Sequence, residues 1–110
     1  KAFVALGHVA NLKSLEITKS GLAVNERGLL TVNEYCQTAV PNIYAVGDTI
    51  GPPSLASASM EQGRRSMCHA LTGKFREGLG SLPAGIYSIP ELATVGMTER
   101  EAVAQFGNPI

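Results

Sequence analysis

The sequence predicts an α/β fold, and three features of the chain lead to that prediction. Two short apolar runs, residues 2–6 and 43–46, each end at a glycine and are typical of buried parallel strands. Between about Leu55 and Thr72, small and apolar residues recur at the three-four spacing of a helix face. Segments rich in glycine, proline and asparagine separate these elements.

The helix at about Leu55–Thr72 is the clearest element. Ser54 is a candidate N-cap, the two preceding prolines prevent an earlier start, and Gly73 suits the end of the helix. We expect Glu61 and Gln62 to pack against neighbours or face solvent. The predicted packing face excludes Glu61, Arg64 and Arg65 and comprises Ala56, Ser59, Met60, Gly63, Met67, Ala70 and Leu71.

The remaining elements are shorter. Residues 11–18 read as a loop with a short turn, and residues 29–32 as a strand. Residues 74–83 are rich in glycine and charge and predict a linker. Two short strands, at 86–88 and 93–96, should follow it. A second helix should span 98–106, with Thr98 as N-cap and Glu101 completing a capping box.

Composition excludes several classes of function. Nine basic and nine acidic residues give no net charge, whereas nucleic-acid binding demands an excess of lysine and arginine. No apolar run approaches the roughly 20 residues that cross a bilayer. Cys36 and Cys68 form no metal-ligand spacing, so we read them as ordinary reduced thiols rather than a redox pair. His8 and His69 have no matching ligands nearby in sequence, and we expect no metal site.

The most informative segment is Gly47-Asp48 with the residues that follow it. In open α/β sheets, ligands bind just beyond the carboxyl ends of strands, where helix N-termini point outward. An ionised Asp48 there would accept a strong hydrogen bond from a sugar or sugar-alcohol hydroxyl. The alternative is a turn aspartate that bonds only to its own backbone.

The motifs around this segment resemble those of the pyridine nucleotide-disulfide oxidoreductase superfamily, flavoproteins with two dinucleotide-binding domains. The pattern is a threonine, a proline and an aromatic-Ala-x-Gly-Asp run, found here as Thr38, Pro41 and residues 44–48. The sequence of residues 50–64 and 85–99 is most similar to the soluble pyridine nucleotide transhydrogenase branch. Nearly the whole chain takes part in the resemblance.

The resemblance implies a cofactor, a site and a domain organisation. FAD would be the cofactor, with NAD(H) and NADP(H) as substrates and hydride transferred between NADPH and NAD⁺. Its predicted contacts are Gly47, Asp48, Ser54, Leu55 and Ala56, and no catalytic residue is assigned. Residues 1–10 would end the NAD(P)-binding domain, 11–82 would be the C-terminal segment of the FAD-binding domain, and 83–110 would start the dimerisation domain. The parent would be a cytoplasmic homodimer without nucleic-acid or membrane partners.

Two departures from the family pattern keep other interpretations open. The family usually has arginine where His8 stands, and we give His8 no catalytic role. No GxGxxG phosphate-binding motif occurs in the chain, although the family has one in each dinucleotide-binding domain. We therefore expect a central piece of a longer polypeptide that is inactive alone. The alternatives are a disulfide reductase similar to dihydrolipoamide dehydrogenase, and a non-catalytic folding or interaction module.

Overall fold

The structure is a computed structural model that describes residues 1–74 and 81–107. Its helices are α1, Ala56–Thr72, and α2, Glu99–Phe106. Its strands are β1, Ala84–Ile86, and β2, Leu92–Thr94, which pair antiparallel. Two short 3-10 turns lie at Lys13–Leu15 and Gly47–Thr49. The chain divides into two compact units between residues 76 and 77.

The first unit is built from turns packed beside α1. Val24 and Leu30 form one isolated antiparallel bridge, and Gln37 and Tyr44 form another. The buried apolar residues of the unit come from the turns and from the first part of α1: Leu12, Leu30, Cys36 and Ala58. The Gly47–Thr49 turn packs against α1, and this contact shapes the candidate site.

The predicted strand at residues 2–6 is wrong. Residues 1–11 carry no helix or strand, and the side chains of Phe3 and Leu6 are fully exposed. A strand needs a partner for its backbone N–H and C=O groups. In the part of the chain that the structure describes, no segment pairs with residues 2–6.

The predicted strands at 29–32 and 43–46 are also wrong in extent and pairing. Each contributes only a single antiparallel bridge, and residues 43–46 are half-buried rather than buried. The reason is local pairing: Thr38 N donates to Ile43 O over 2.9 Å, and Ala45 N donates to Cys36 O over the same distance. The segment thus folds back on its own neighbour instead of entering a parallel sheet.

The prediction of α1 is confirmed in extent but not in its N-cap or its packing face. Leu55, not Ser54, occupies the N-cap position, and no side chain caps the helix. Leu55 N donates to Pro53 O over 3.0 Å and so closes a turn before the helix, which begins at Ala56 rather than at Leu55. Gly73 ends the helix in the left-handed conformation and donates to His69 O, as predicted.

The buried face of α1 is polar, and the predicted face is largely exposed. The buried residues are Ala58, Gln62, Arg65 and Ser66, whereas Met60, Met67 and Leu71 are 58–78% exposed. Polar side chains can be buried when their hydrogen bonds are satisfied. Ser66 Oγ donates to Gln62 O over 2.8 Å, and Arg65 pairs with Glu61, so burial leaves neither unsatisfied.

The second unit follows the predicted order of elements with shifted strand boundaries. Pairing begins at Ala84 and stops at Ile86, before the predicted residues Tyr87 and Ser88. Ile89-Pro90 follows, and proline has no N–H to donate to a ladder. Helix α2 has the predicted capping box: Thr98 accepts from Glu101 N, and Glu101 accepts from Thr98 N. Most of the predicted linker, residues 75–80, lies outside the described residues.

Candidate functional site

The Gly47–Thr49 turn forms one side of the candidate site and is tied to α1 by a buried hydrogen bond. Gly47 N donates to Gln62 Oε1 over 2.7 Å. Thr49 Oγ1 donates to Val46 O over 3.0 Å, and Leu30 N donates to Thr49 O over 2.8 Å. These contacts fix the backbone on both sides of Asp48 and so fix the position from which its side chain extends.

Gly47 also meets α1 at very close range. Its φ of +75° belongs to the left-handed region, which favours glycine. A Cβ at this position would lie 3.0 Å from Ser59 Oγ and 3.3 Å from Ser59 Cβ. Glycine therefore allows both the turn and the close packing of the turn on the helix.

Asp48 presents an exposed carboxylate. Its side chain is 54% exposed, and no hydrogen bond to it is formed by the described residues. Its titratable neighbour is His8, whose Nε2 lies 3.8 Å from Asp48 Oδ2. The alternative in which Asp48 only closes its own turn is not what the structure shows, because the turn bonds involve backbone groups and Thr49 Oγ1.

His8 and Asp48 face each other across an open cleft of about 370 Å³, which we call the His8–Asp48 cleft. Apolar walls and short polar groups surround the two titratable side chains. Besides His8 and Asp48, the lining residues are Val9, Ala10, Asn11, Leu29, Thr49, Gly51, Pro52 and Ser54. Such a mixture of apolar walls and few polar groups is typical of small-molecule sites.

The N-terminus of α1 lies two residues beyond the cleft residue Ser54 in sequence. Ser59 N and Ser59 Oγ both donate to Leu55 O, so the first turn is well formed. The N-cap Leu55 has no side-chain acceptor, so the positive end of the helix dipole is not offset by a cap.

The structure brings together part of the predicted site. Asp48 and Ser54 line the His8–Asp48 cleft, and Gly47 holds Asp48 in place through its bond to Gln62. Leu55 is half-buried and Ala56 is exposed, and neither lines the cleft. Ser54 is exposed and does not cap the helix.

Sequence reasoning missed His8 as a neighbour of Asp48 and Gln62 as the anchor of Gly47. His8 lies forty positions from Asp48, and nothing in the local pattern indicates their contact. Gln62 was predicted to pack or face solvent; it is 5% exposed and packs by accepting a backbone hydrogen bond. The predicted packing face of α1 did not include Gln62, so the sequence pattern gave no signal for this bond.

Further along α1, Glu61 binds two arginines. Arg64 donates to both Glu61 oxygens over 2.7–2.8 Å, and Arg65 Nε donates to Oε1 over 2.9 Å. Hydrogen bonds from Arg64 and then Arg65 lower the pKa of Glu61 to about 2. This cluster stabilises the helix and does not line the cleft.

Other candidate chemistries find no support among the described residues. Within 1–74 and 81–107, no group of three His, Cys, Asp or Glu side chains could hold a metal ion. Cys36 is buried, Cys68 is exposed, and both are free thiols. In the same residues, neither helix has the length and apolar character needed to cross a membrane.

Comparison with known proteins assigns the family. Residues 1–63 match the family described as pyridine nucleotide-disulphide oxidoreductase, which is more than half of the chain. The chain belongs to this family, and the resemblance predicted from residues 38–48 is confirmed.

Relatives named soluble pyridine nucleotide transhydrogenase match nearly the whole chain. The Erwinia tasmaniensis protein is 48% identical over 101 residues, which cover 91% of this chain and 22% of the relative. The protein of a Marinomonas species is 44% identical over 99 residues, or 90% of this chain and 21% of the relative. The chain thus spans about 22% of the length of these curated relatives. The similarity to the transhydrogenase branch is as the motifs predicted.

A solved structure shows the same fold. The HOCl-induced flavoprotein disulfide reductase RclA from Escherichia coli superimposes with a TM-score of 0.76 at 31% identity. The superposition covers 91% of this chain and 23% of that one. The α/β fold class is confirmed, and the chain corresponds to one part of a larger flavoprotein fold.

Proposed function

We propose that the protein containing this chain is an FAD-dependent oxidoreductase that transfers hydride between NADPH and NAD⁺. The observation that carries the proposal is the exposed carboxylate of Asp48 at the edge of a cleft with apolar walls. Relatives that match 90–91% of the chain are named soluble pyridine nucleotide transhydrogenases. The bound flavin would supply the hydride chemistry, and the protein would supply binding and orientation.

The residues present fit part of a flavin nucleotide. Asp48 offers an ionised acceptor for a hydroxyl of the sugar-alcohol chain, and a charge-assisted bond of this kind is about twice as strong as a neutral one. Gly47 lets the turn approach α1 closely, and Ser54 provides a hydroxyl at the cleft. Leu55 and Ala56 start a helix whose uncapped positive end favours negative charge nearby.

The first test is the Asp48→Asn variant of the complete gene product. Loss of the charge leaves the shape unchanged and removes an interaction that typically contributes about 1.5–3 kcal/mol. We expect the dissociation constant for FAD, measured by flavin fluorescence after removal and readdition of the cofactor, to rise about 10- to 100-fold. Glu34→Gln is the matched control, because Glu34 is exposed and does not line the cleft. A wild-type protein that is colourless and stays so after reconstitution would contradict the proposal.

A second candidate is a disulfide reductase with the same cofactor. The 31% identical solved relative, a flavoprotein disulfide reductase, favours it. The two activities separate in one assay: the purified protein should form NADH from NADPH and NAD⁺ without a disulfide substrate. Reduction of lipoamide or another disulfide, with a Cys-x-x-x-x-Cys pair elsewhere in the polypeptide, would favour the reductase instead.

The domain organisation, assembly and location belong to the same proposal. Residues 1–10 would end the NAD(P)-binding domain, 11–82 would complete the FAD-binding domain, and 83–110 would begin a dimerisation domain. The parent would be a cytoplasmic homodimer with dinucleotides as its small-molecule partners. Residues 1–110 alone would be a non-catalytic module, since they contain no GxGxxG motif for a nucleotide phosphate. Sedimentation of the complete gene product would test the dimer.

A further inference from the structure

His8 and Asp48 form the charged pair of the His8–Asp48 cleft. His8 Nε2 lies 3.8 Å from Asp48 Oδ2, and the two side chains are 78% and 54% exposed. His8 belongs to a segment without helix or strand, whereas Asp48 stands on a turn fixed by Gln62 and Leu30. Among the residues that line the cleft, these two carry the titratable groups.

The distance decides the nature of the contact. At 3.8 Å, Nε2 and Oδ2 are beyond the usual 2.7–3.2 Å of a hydrogen bond, so the interaction is an attraction between charges. It exists only while the imidazole is protonated. Imidazole is the side chain that changes its charge near neutral pH, in contrast to a permanently charged arginine.

We propose that His8 is a positioning residue that makes the affinity of the cleft for a flavin nucleotide depend on pH. Protonated His8 attracts Asp48 Oδ2, restrains the carboxylate on the cleft side and leaves the other oxygen to accept from a ligand hydroxyl. It also offsets the negative charge of Asp48, which otherwise disfavours an anionic, phosphate-bearing ligand. This inference rests on the proposed function, because it assumes that the ligand is a flavin nucleotide.

The sign and size of the effect follow from this geometry. The ligand binds better when the imidazole carries a proton, so affinity falls as pH rises. Because both side chains are solvent-exposed, the effect is small. We expect the dissociation constant for FAD to be about two- to fivefold higher at pH 8 than at pH 6. Salt screens exposed charges, so the difference should shrink at high ionic strength.

The experiment measures FAD binding rather than turnover. The complete gene product is freed of cofactor, and the dissociation constant for FAD is measured by fluorescence at pH 6 and pH 8. At both pH values, His8→Gln should have the dissociation constant that the wild type has at pH 8. At both pH values, His8→Arg should have the dissociation constant that the wild type has at pH 6. In Asp48→Asn the dissociation constant should no longer depend on pH, because the imidazole has no carboxylate to restrain.

Each other outcome counts against the proposal. Equal affinity of the wild type at both pH values overturns it and leaves the proposed function intact. His69 is the other histidine of the chain. If FAD affinity still depends on pH in His8→Gln but not in His69→Gln, His69 causes the dependence and the proposal is wrong. Dependence that survives Asp48→Asn means that His8 acts on the ligand itself. A wild type that binds no FAD at either pH overturns the proposed function and this inference together.

Discussion

Gly47 controls the shape of the candidate site because two requirements meet at this one residue. Its backbone is left-handed, with φ +75°, and the position of its missing Cβ is 3.0 Å from Ser59 Oγ. Gly28 is a matched control: its φ is +73°, and nothing lies within 4 Å of the corresponding point. The two residues therefore separate the backbone requirement from the packing requirement.

We predict that Gly28→Ala lowers the free energy of unfolding by about 1–2 kcal/mol, the usual strain of a left-handed non-glycine residue. Gly47→Ala should lower it by about 2–4 kcal/mol, because overpacking is added to the same strain. Urea denaturation would measure both. In the background of Ser59→Gly, which removes the clashing atoms, the penalty of Gly47→Ala should approach that of Gly28→Ala. Equal penalties in the original background would contradict the packing argument.

Among individual residues, the sequence indicated Asp48 as a candidate site residue but did not indicate its neighbours. Gly-Asp with two following prolines is a contiguous pattern, and Asp48 and Ser54 both line the cleft. His8 and Gln62 are brought to Asp48 and Gly47 by contacts between distant segments. A local pattern carries no information on such contacts, because they depend on how the turns fold back on α1.

Among the elements, α1 shows how satisfied polar groups can determine a buried face. Its limits were predictable from helical spacing, from Pro52-Pro53 before it and from Gly73 after it. The face was not, since apolar periodicity favoured Met60, Met67 and Leu71, which are exposed. Gln62, Arg65 and Ser66 are buried instead, and each forms a hydrogen bond within the unit.

The Glu61 cluster makes the stability of α1 depend on pH. Because the pKa of Glu61 is lowered from 4.5 to about 2, its contribution is present above the unfolded value and is lost as pH falls from about 4.5 to 2. We predict that Glu61→Gln lowers the free energy of unfolding at pH 7 and has progressively less effect towards pH 2. Chemical denaturation across this range would measure it.

The matched control for that prediction is Glu16→Gln. Glu16 forms an exposed pair with Lys19 over 2.6 Å, three residues along the chain. Exposed pairs contribute little, so this variant should change stability only slightly at either pH. A Glu61→Gln penalty that is the same at pH 7 and pH 2 would contradict the role of the ionised carboxylate.

Helix α2 allows a simpler test in the second unit. Thr98 and Glu101 form the capping box that the sequence predicted, and hydrogen bonds from Thr98 lower the pKa of Glu101. Thr98→Ala should reduce stability by about 1 kcal/mol, whereas Thr98→Ser, which keeps the hydroxyl, should cost little. The measurement is denaturation followed by circular dichroism. Equal effects of both variants would show that the cap does not stabilise α2.

At the scale of the whole molecule, large apolar side chains are exposed near the start of the chain and along α1. Phe3, Leu6 and Val9 are 92–94% exposed, and Leu71 is 78% exposed. Exposed apolar side chains favour association. The sequence predicted a buried strand at residues 2–6, whereas the structure shows exposed side chains and no strand there.

We predict that the isolated chain of 110 residues self-associates at high concentration and binds FAD weakly or not at all. Sedimentation velocity should show a weight-average mass that increases with concentration. Phe3→Ser/Leu6→Ser should shift this distribution towards the monomer, because it removes two side chains that are 93–94% exposed. The matched control is Ser14→Ala/Ser20→Ala, which changes two exposed polar side chains and should leave the distribution unchanged. A monodisperse monomer, or tight stoichiometric FAD binding by the isolated chain, would contradict this prediction.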